Sequence, residues 1–327
     1  MLVVVVANAQ LLHFSQFYAQ PLAINPAYGG DYKGDVRLAI INRRQWGQLG
    51  TPLDTKGASL EKKIRIVNNF LILGGQFLTD KTTAEGLETT MAHFSATFQK
   101  AYGKNLLALG VQAGLINRRL NEDQTFPSQF DPSTGLFDPG LNSGENFLVD
   151  GRGHPNVNVG ILWTSIYRSK IRFKTGASFS HINFPDEAFS GTISRRPIRY
   201  LVHHSIEARI SPQWTIAPEA QLIYSGGAKQ LLTLMRVERK LNDVTAITGG
   251  FGFRGYAFQN DAAIGLISLS YHYTDIGFSY DFNINELSNE TRKTAFEISL
   301  IARTPPKKYK KIMHKKNKPC PVYVDPF

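Results

Sequence analysis

The feature that most constrains this chain is a two-residue alternation of apolar and polar side chains. It runs over segments of about ten residues, each closed by Gly, Asn, Asp or Pro. Between Asp275 and Asn285, one face carries Ile276, Phe278, Tyr280, Phe282 and Ile284. The other carries Asp275, Gly277, Ser279, Asp281 and Asn283. Phe173, Ala177 and Phe179 likewise oppose Arg172, Lys174, Ser178 and Ser180, and Val157, Val159, Ile161, Trp163 and Tyr167 oppose Asn156, Asn158, Gly160, Thr164 and Arg168. A soluble sandwich and a membrane barrel both alternate in this way. They differ in length, because a tilted strand crossing a bilayer needs about 9–11 residues, whereas soluble strands average about five or six. The longer strands favour an all-β, transmembrane antiparallel barrel whose apolar face meets lipid and whose polar face lines the interior.

About fourteen such segments begin near residues 35, 52, 68, 86, 105, 156, 170, 200, 214, 229, 243, 261, 275 and 294. An even number lets an antiparallel barrel close with both termini on one side. The connections give an independent check. The longest gaps, 119–155, 182–199 and 285–293, follow the fifth, seventh and thirteenth segments. Ser169, Ser211-Pro212-Gln213, Leu241-Asn242 and Tyr273-Thr274 make tight links after even-numbered ones. Long connections on one end and short turns on the other are what an outer-membrane barrel shows. Trp46, Phe98, Tyr102, Trp163, Tyr167, Tyr200, Trp214, Tyr224, Tyr271 and Tyr273 fall near segment ends, where amphipathic rings suit a membrane interface.

Composition agrees. The chain is 42% hydrophobic and 19% charged, too apolar for disorder. No apolar run approaches the roughly 18 residues of a spanning helix. Residues 1–9, Met1-Leu2-Val3-Val4-Val5-Val6-Ala7-Asn8-Ala9, read as a signal-peptide remnant ending in a small-x-small cleavage pattern. Segment 10–34 is apolar with Pro21 and Pro26, and is expected to fold against the barrel interior or its periplasmic mouth, turning at Asn25-Pro26. The barrel then occupies 35–304, and 305–327 is a lysine-rich periplasmic tail. Lys307, Lys308, Lys310, Lys311, Lys315, Lys316 and Lys318 supply +7 of the net charge of +11, leaving +4 for the rest. Such a tail fits anionic headgroups or an acidic periplasmic partner; nothing in the body resembles a nucleic-acid module. The single cysteine, Cys320, excludes an internal disulfide and a cysteine-based zinc site.

The stretch Phe14-Ser15-Gln16-Phe17-Tyr18, then Pro21-Leu22, then Asn25-Pro26-Ala27-Tyr28-Gly29-Gly30 resembles the opening of the PorP/SprF family of outer-membrane proteins. Asn42-Arg43-Arg44-Gln45-Trp46 resembles the family's next block. It keeps Gln45-Trp46 but has Asn42 where the family has tyrosine and Arg44 where it has asparagine. Leu73-Gly74-Gly75-Gln76-Phe77 with Asp80, Leu109-Gly110-Val111-Gln112-Ala113-Gly114, Asp131-Pro132 and Pro319-Cys320-Pro321-Val322-Tyr323 continue the resemblance in order. It implies a non-enzymatic barrel of the type IX secretion and gliding machinery, which anchors or presents an exported adhesin and contacts periplasmic components. Partner-binding candidates are Asn25, Pro26, Tyr28, Gln45, Trp46, Asp131, Asp138 and the seven tail lysines.

Other chemistry is weakly represented. His203, Ser205 and Glu207 share one strand face, yet residues two apart lie about 6–7 Å from each other along a strand, too far for a hydrogen-bonded relay. The expected state is lumen polarity, with a barrel hydrolase as the remote alternative. Asn121, Glu122, Asp123, Asp131, Asp138 and Asp150 lack the dense spacing of a calcium loop. No cofactor or metal is expected. Arg37, Arg43, Lys174, Arg209, Arg236, Glu238 and Asp281 place charge inside, so a passive solute channel is the main alternative to the adaptor.

Overall fold

The computed structural model describes residues 13–47, 52–67, 69–82, 86–120, 127–138, 140–142, 151–188, 193–256, 259–284 and 294–305. Fourteen strands close one antiparallel barrel. They are β1 (Val36–Gln45), β2 (Leu53–Ile66), β3 (Asn69–Thr82), β4 (Leu87–Tyr102), β5 (Asn105–Leu120), β8 (Gly151–Tyr167), β9 (Ile171–Ser180), β10 (Arg199–Arg209), β11 (Trp214–Ser225), β12 (Ala228–Lys240), β13 (Thr245–Tyr256), β14 (Gln259–Tyr271), β15 (Thr274–Asn283) and β16 (Ala295–Arg303). Two-residue strands β6 (Phe130–Asp131) and β7 (Leu136–Phe137) form a separate hairpin between β5 and β8. Each barrel strand pairs with its sequence neighbour. β1 closes on β16 from Arg37 opposite Arg303 to Gln45 opposite Ala295.

The strands begin close to where the alternation starts. The largest difference is at β8, which begins at Gly151 rather than 156. Gly151 to Pro155 carry no apolar alternation, but they pair with Arg119 to Leu115 of the tall strand β5, so tertiary pairing extends the strand. All six links at one end, from β2–β3 to β14–β15, are two to four residues long. The three longest links, after β5, β9 and β15, all emerge at the other end.

The outward face is apolar. On β11, Trp214 and Tyr224 bracket Ile216, Pro218, Ala220 and Leu222. Ten residues rise about 33 Å along a strand, or about 25 Å along the membrane normal at a tilt of about 40°, which matches the apolar band of a spanning barrel. At the short-turn end, basic groups sit over ring faces: Lys100 over Tyr102 at 4.8 Å, Arg168 over Tyr167 at 5.1 Å and Arg239 over Trp214 at 5.3 Å. A ring at headgroup depth with its cation reaching outward satisfies both solvents.

The inward face departs from the expected polar lining. β10 to β14 turn Leu201, Ile223, Leu232, Leu234, Ile264 and Leu266 inside, because residues 13–34 run through the barrel and pack there. Phe17 and Ile24 cover this apolar patch. Phe14 and Ala19 pack on Ala39, Ile41, Leu78, Met91, Ile116 and Ile301. Each Phe, Leu, Ile or Met among them, fully buried, contributes about 1.5–3 kcal/mol.

The lipid-facing reading sets a sign and a size. Val111→Arg places a charge in the middle of the outward band and should cost about 2–4 kcal/mol of folding stability in lipid vesicles. Reversible denaturant unfolding from vesicles measures it, and a change below about 0.5 kcal/mol would contradict a lipid contact.

Candidate functional site

The internal segment is built from proline-started turns. Helix α1 (Pro21–Ile24) has proline at its first position, where no N–H is needed, and 3₁₀ turns Phe17–Ala19 and Pro26–Tyr28 flank it. Asn25 Oδ1 accepts the Ala27 N–H at 2.8 Å and caps the second turn. The segment starts near the long-connection end, where Ser15 meets Arg43 and Arg254. It leaves at the short-turn end, where the Asp35 N–H donates to Thr304 Oγ1 at 3.1 Å.

Its first anchor is ionic. The backbone N–H groups of Ser15 and Gln16 each donate to Glu297 at 2.7 Å, and Ser15 Oγ donates to Asp281 at 2.8 Å. Arg43 bridges the same carboxylates, 2.5 Å to Glu297 and 2.8 Å to Asp281, and Arg254 reaches Asp281 at 2.8 Å. These four side chains are buried, two guanidiniums against two carboxylates. Gln16 completes the anchor, donating to Ser279 Oγ at 3.1 Å and accepting from Ser299 Oγ at 2.7 Å. Gly277 leaves the space that Gln16 occupies.

The second anchor is Asn25-Pro26-Ala27-Tyr28. Asn25 Nδ2 donates to the carbonyls of Ile161 and Ala177 at 3.0 and 3.1 Å and contacts His203 Nε2 at 3.1 Å. Tyr28 OH hydrogen-bonds His203 Nδ1 at 2.8 Å, with the rings stacked at 4.5 Å. A Cβ at Gly110 would strike Pro26 and Ala27, and one at Gly160 would strike Asn25. Below them Asp31 accepts from Lys174 at 2.6 Å, and Glu207 pairs with both Lys174 and Arg172. Arg37 bonds Glu61 at 2.8 Å and donates to the carbonyls of Tyr18 and Ala19, while Arg236 pairs with Glu219 under the Tyr18 ring.

Of the sequence-derived candidates, Asn25 through its Nδ2, Pro26 through its carbonyl, which accepts from Thr97 Oγ1 at 2.7 Å, and Tyr28 through its hydroxyl therefore bond the barrel's own wall. Gln45 ends β1 half-buried, and Trp46 follows it with φ 55° and its N–H on the Thr294 carbonyl at 2.9 Å. Asp131 caps the β6–β7 turn, accepting from Ser133 N and Oγ, and Asp138 accepts from Gly140 N at 2.8 Å. Lys307, Lys308, Lys310, Lys311, Lys315, Lys316, Lys318, Cys320 and residues 1–9 lie outside the described residues. So do Asn121, Glu122, Asp123 and Asp150. His203, Ser205 and Glu207 do not form a relay: both ring nitrogens of His203 meet the N-terminal segment, and Glu207 serves Lys174 and Arg172. Glu297, Arg254 and the glycine clearances were missed. Alternation places them inside but cannot say what they face.

A second closure comes from the connection between β9 and β10. Glu187 takes Arg118 at 2.9 Å and Arg196 at 2.6 Å, with His154 Nε2 3.3 Å away, and Arg152 holds Asp186 at 2.8 Å. Arg118, Arg152 and His154 point inward from β5 and β8, so this connection leans over the mouth and buries Ala188. Burial works against ionising Glu187, but the approach of His154 and the charges of Arg196 and Arg118 outweigh it and hold the carboxyl down to about 2.

The closed barrel, its apolar exterior and its aromatic rims define an outer-membrane-type β-barrel with an internally packed N-terminal segment. The chain belongs to the PorP/SprF family of type IX secretion system membrane proteins, whose family model matches residues 6–301. No curated protein sequence matches it significantly. Its fold is similar to the Pseudomonas putida toluene transporter TodX (TM-score 0.52, 9% identity, 85% of this chain and 90% of that one). It is also similar to the monoaromatic hydrocarbon channel CymD (0.53, 12%, 88% and 93%) and to a Pseudomonas aeruginosa FadL homologue (0.52, 8%, 85% and 92%).

Two outcomes follow. Arg43→Ala leaves the buried Glu297 without a cationic partner, while Asp281 keeps Arg254, and should cost about 3–5 kcal/mol and expose residues 13–34 to protease; limited proteolysis of the folded barrel reports it. Glu187, with its depressed pKa, stabilises the β9–β10 connection fully above the usual glutamate pKa. That contribution declines as pH falls toward about 2. Wild type and Glu187→Gln should therefore differ in cleavage of this connection at pH 7 and converge near pH 2.

Proposed function

We propose that the protein is a plugged outer-membrane barrel that anchors or presents an exported surface protein, an adhesin, for the type IX secretion and gliding machinery. The observation carrying this reading is the state of the lumen. Arg37, Arg43, Lys174 and Arg236, which as free charges would line a pore, are instead each ion-paired, and three of the pairing sets also bond residues 13–34. Family membership supplies the secretion link. The long connections 119–155 and 182–199 offer the surface for the exported partner. The lysine tail 305–327 offers one for periplasmic components or anionic headgroups. Residues 10–34 act as the plug, and the role is non-enzymatic.

The rival is a passive channel. It is favoured by the apolar interior strip from Leu201 to Leu266 and by a fold shared with proteins described as hydrocarbon channels. Planar-bilayer recording of the full chain, together with affinity purification from native membranes, separates the two. The adaptor predicts a silent wild-type barrel that recovers a large exported protein, and conductance only when residues 13–34 are released by Arg43→Ala. Steady wild-type conductance with no co-purifying surface protein would overturn it.

A further inference from the structure

On the outward face of β1, β2 and β3 the apolar band ends in a cluster of cations. Lys56 lies opposite Asn42 on one side and Thr79 on the other. One pleat nearer the long connections, Asp54 lies opposite Arg44 and Lys81. Diagonal positions in a sheet are about 7–8 Å apart, within reach of long side chains. Arg44, Lys56 and Lys81 therefore surround one carboxylate, three positive charges to one negative. Arg44 Nε is 3.9 Å from Asp54 Oδ1, a loose contact with both side chains open to the surroundings at 47% and 35%. Lys56 and Lys81 are exposed and make no ion pair among the described residues.

The depth of this cluster is fixed by β3. Between Asn69 and Thr79, its outward residues Leu71, Leu73, Gly75 and Phe77 offer lipid no polar side chain, while on β2 the outward Ala58 and Leu60 separate Lys56 from Lys62, which lies opposite Leu73. Ten residues again span about 25 Å along the normal, so Thr79 and its partner Lys56 lie where hydrocarbon gives way to headgroups. Directly beneath is a paired apolar row, Ile40, Ala58 and Phe77. On the opposite half of the barrel, the corresponding strand ends carry Tyr200 and Tyr224, an aromatic rim. Lys229 lies opposite Tyr224 there as a single outward cation, whereas three outward cations come together on β1, β2 and β3.

We propose that Arg44, Lys56 and Lys81 bind the phosphate of a lipid headgroup in the leaflet that meets the long connections, with the acyl chains lying on Ile40, Ala58 and Phe77. Asn42 and Thr79 supply neutral hydrogen-bonding groups beside it, and Asp54 offsets the mutual repulsion of the three cations while moderating affinity for an anion. Cations at headgroup depth over an apolar row match an amphipathic anion in both halves of its structure. The inference needs only that the barrel spans a membrane; it stands whether the protein is an adaptor or a channel.

Native mass spectrometry of the full-length protein in mild detergent, titrated with monophosphoryl lipid A, tests it. The same glycolipid stripped of its phosphate and inorganic phosphate are the comparisons. Wild type should retain the phosphorylated lipid. The triple variant Arg44→Gln, Lys56→Gln, Lys81→Gln should bind it about tenfold or more weakly, while Asp54→Asn should bind it several-fold more tightly. Inorganic phosphate at millimolar concentration should not displace it. Undiminished binding by the triple variant, equal binding of the dephosphorylated lipid, or displacement by inorganic phosphate would each overturn the proposal. Unchanged lipid binding with loss of a co-purifying protein would also overturn it, and would make this a protein-docking face. Heat-dependent gel mobility verifies folding. If the triple variant does not fold, a failure of Asp54→Asn to raise affinity decides against the site.

Discussion

A bilayer offers no hydrogen bonds to a spanning backbone, and every other feature of this molecule follows from that demand. A strand in hydrocarbon must pair on both edges, so the sheet must close, and β1 meets β16 along its whole length. Fourteen strands make a ring wider than barrel side chains alone can fill. The chain fills it with its own N-terminal segment. The Phe14-Ser15-Gln16 and Asn25-Pro26-Ala27-Tyr28 stretches are thereby explained as contacts: one is bound by Glu297, Asp281 and Arg43, the other by His203 and the clearances at Gly110 and Gly160.

Placing charge in that interior is unfavourable unless each ion is matched. The matching is local. Arg43 and Arg254 face Asp281 and Glu297, with the more open Asp261 also on Arg254; Lys174 and Arg172 face Asp31 and Glu207; Arg37 faces Glu61; Arg236 faces Glu219. Three of these sets also bond the N-terminal segment, through Ser15, Asp31 and the carbonyls of Tyr18 and Ala19. Losing the segment would leave those donors and acceptors unsatisfied, so the ion pairs hold the segment in one register.

The barrel was legible because alternation is written locally, strand by strand, and because loop length separates the two ends. β15 could be read residue by residue: Ile276, Phe278 and Phe282 outside, Gly277, Ser279 and Asp281 inside. What the interior residues face was not legible. Ser15 and Glu297 are 282 positions apart, and no local pattern joins them. Gly110 sat in a recognisable alternating run, but its reason is the approach of Pro26. The inward leucines of β12 broke the polar-lining rule because they bury Phe17 and Ile24, and propensity carries no mark of that partner.

The central claim is that lipid covers one face of each strand while protein fills the other. Spin labels placed singly at positions 215 to 223 of β11, in full-length protein with Cys320→Ser reconstituted in vesicles, measure it directly. The account predicts a period of two. Positions 216, 218, 220 and 222 should be open to dissolved oxygen and closed to a water-soluble nickel reagent, and 217, 219 and 221 immobile and closed to both. Labels on both faces reached equally by the nickel reagent would contradict it.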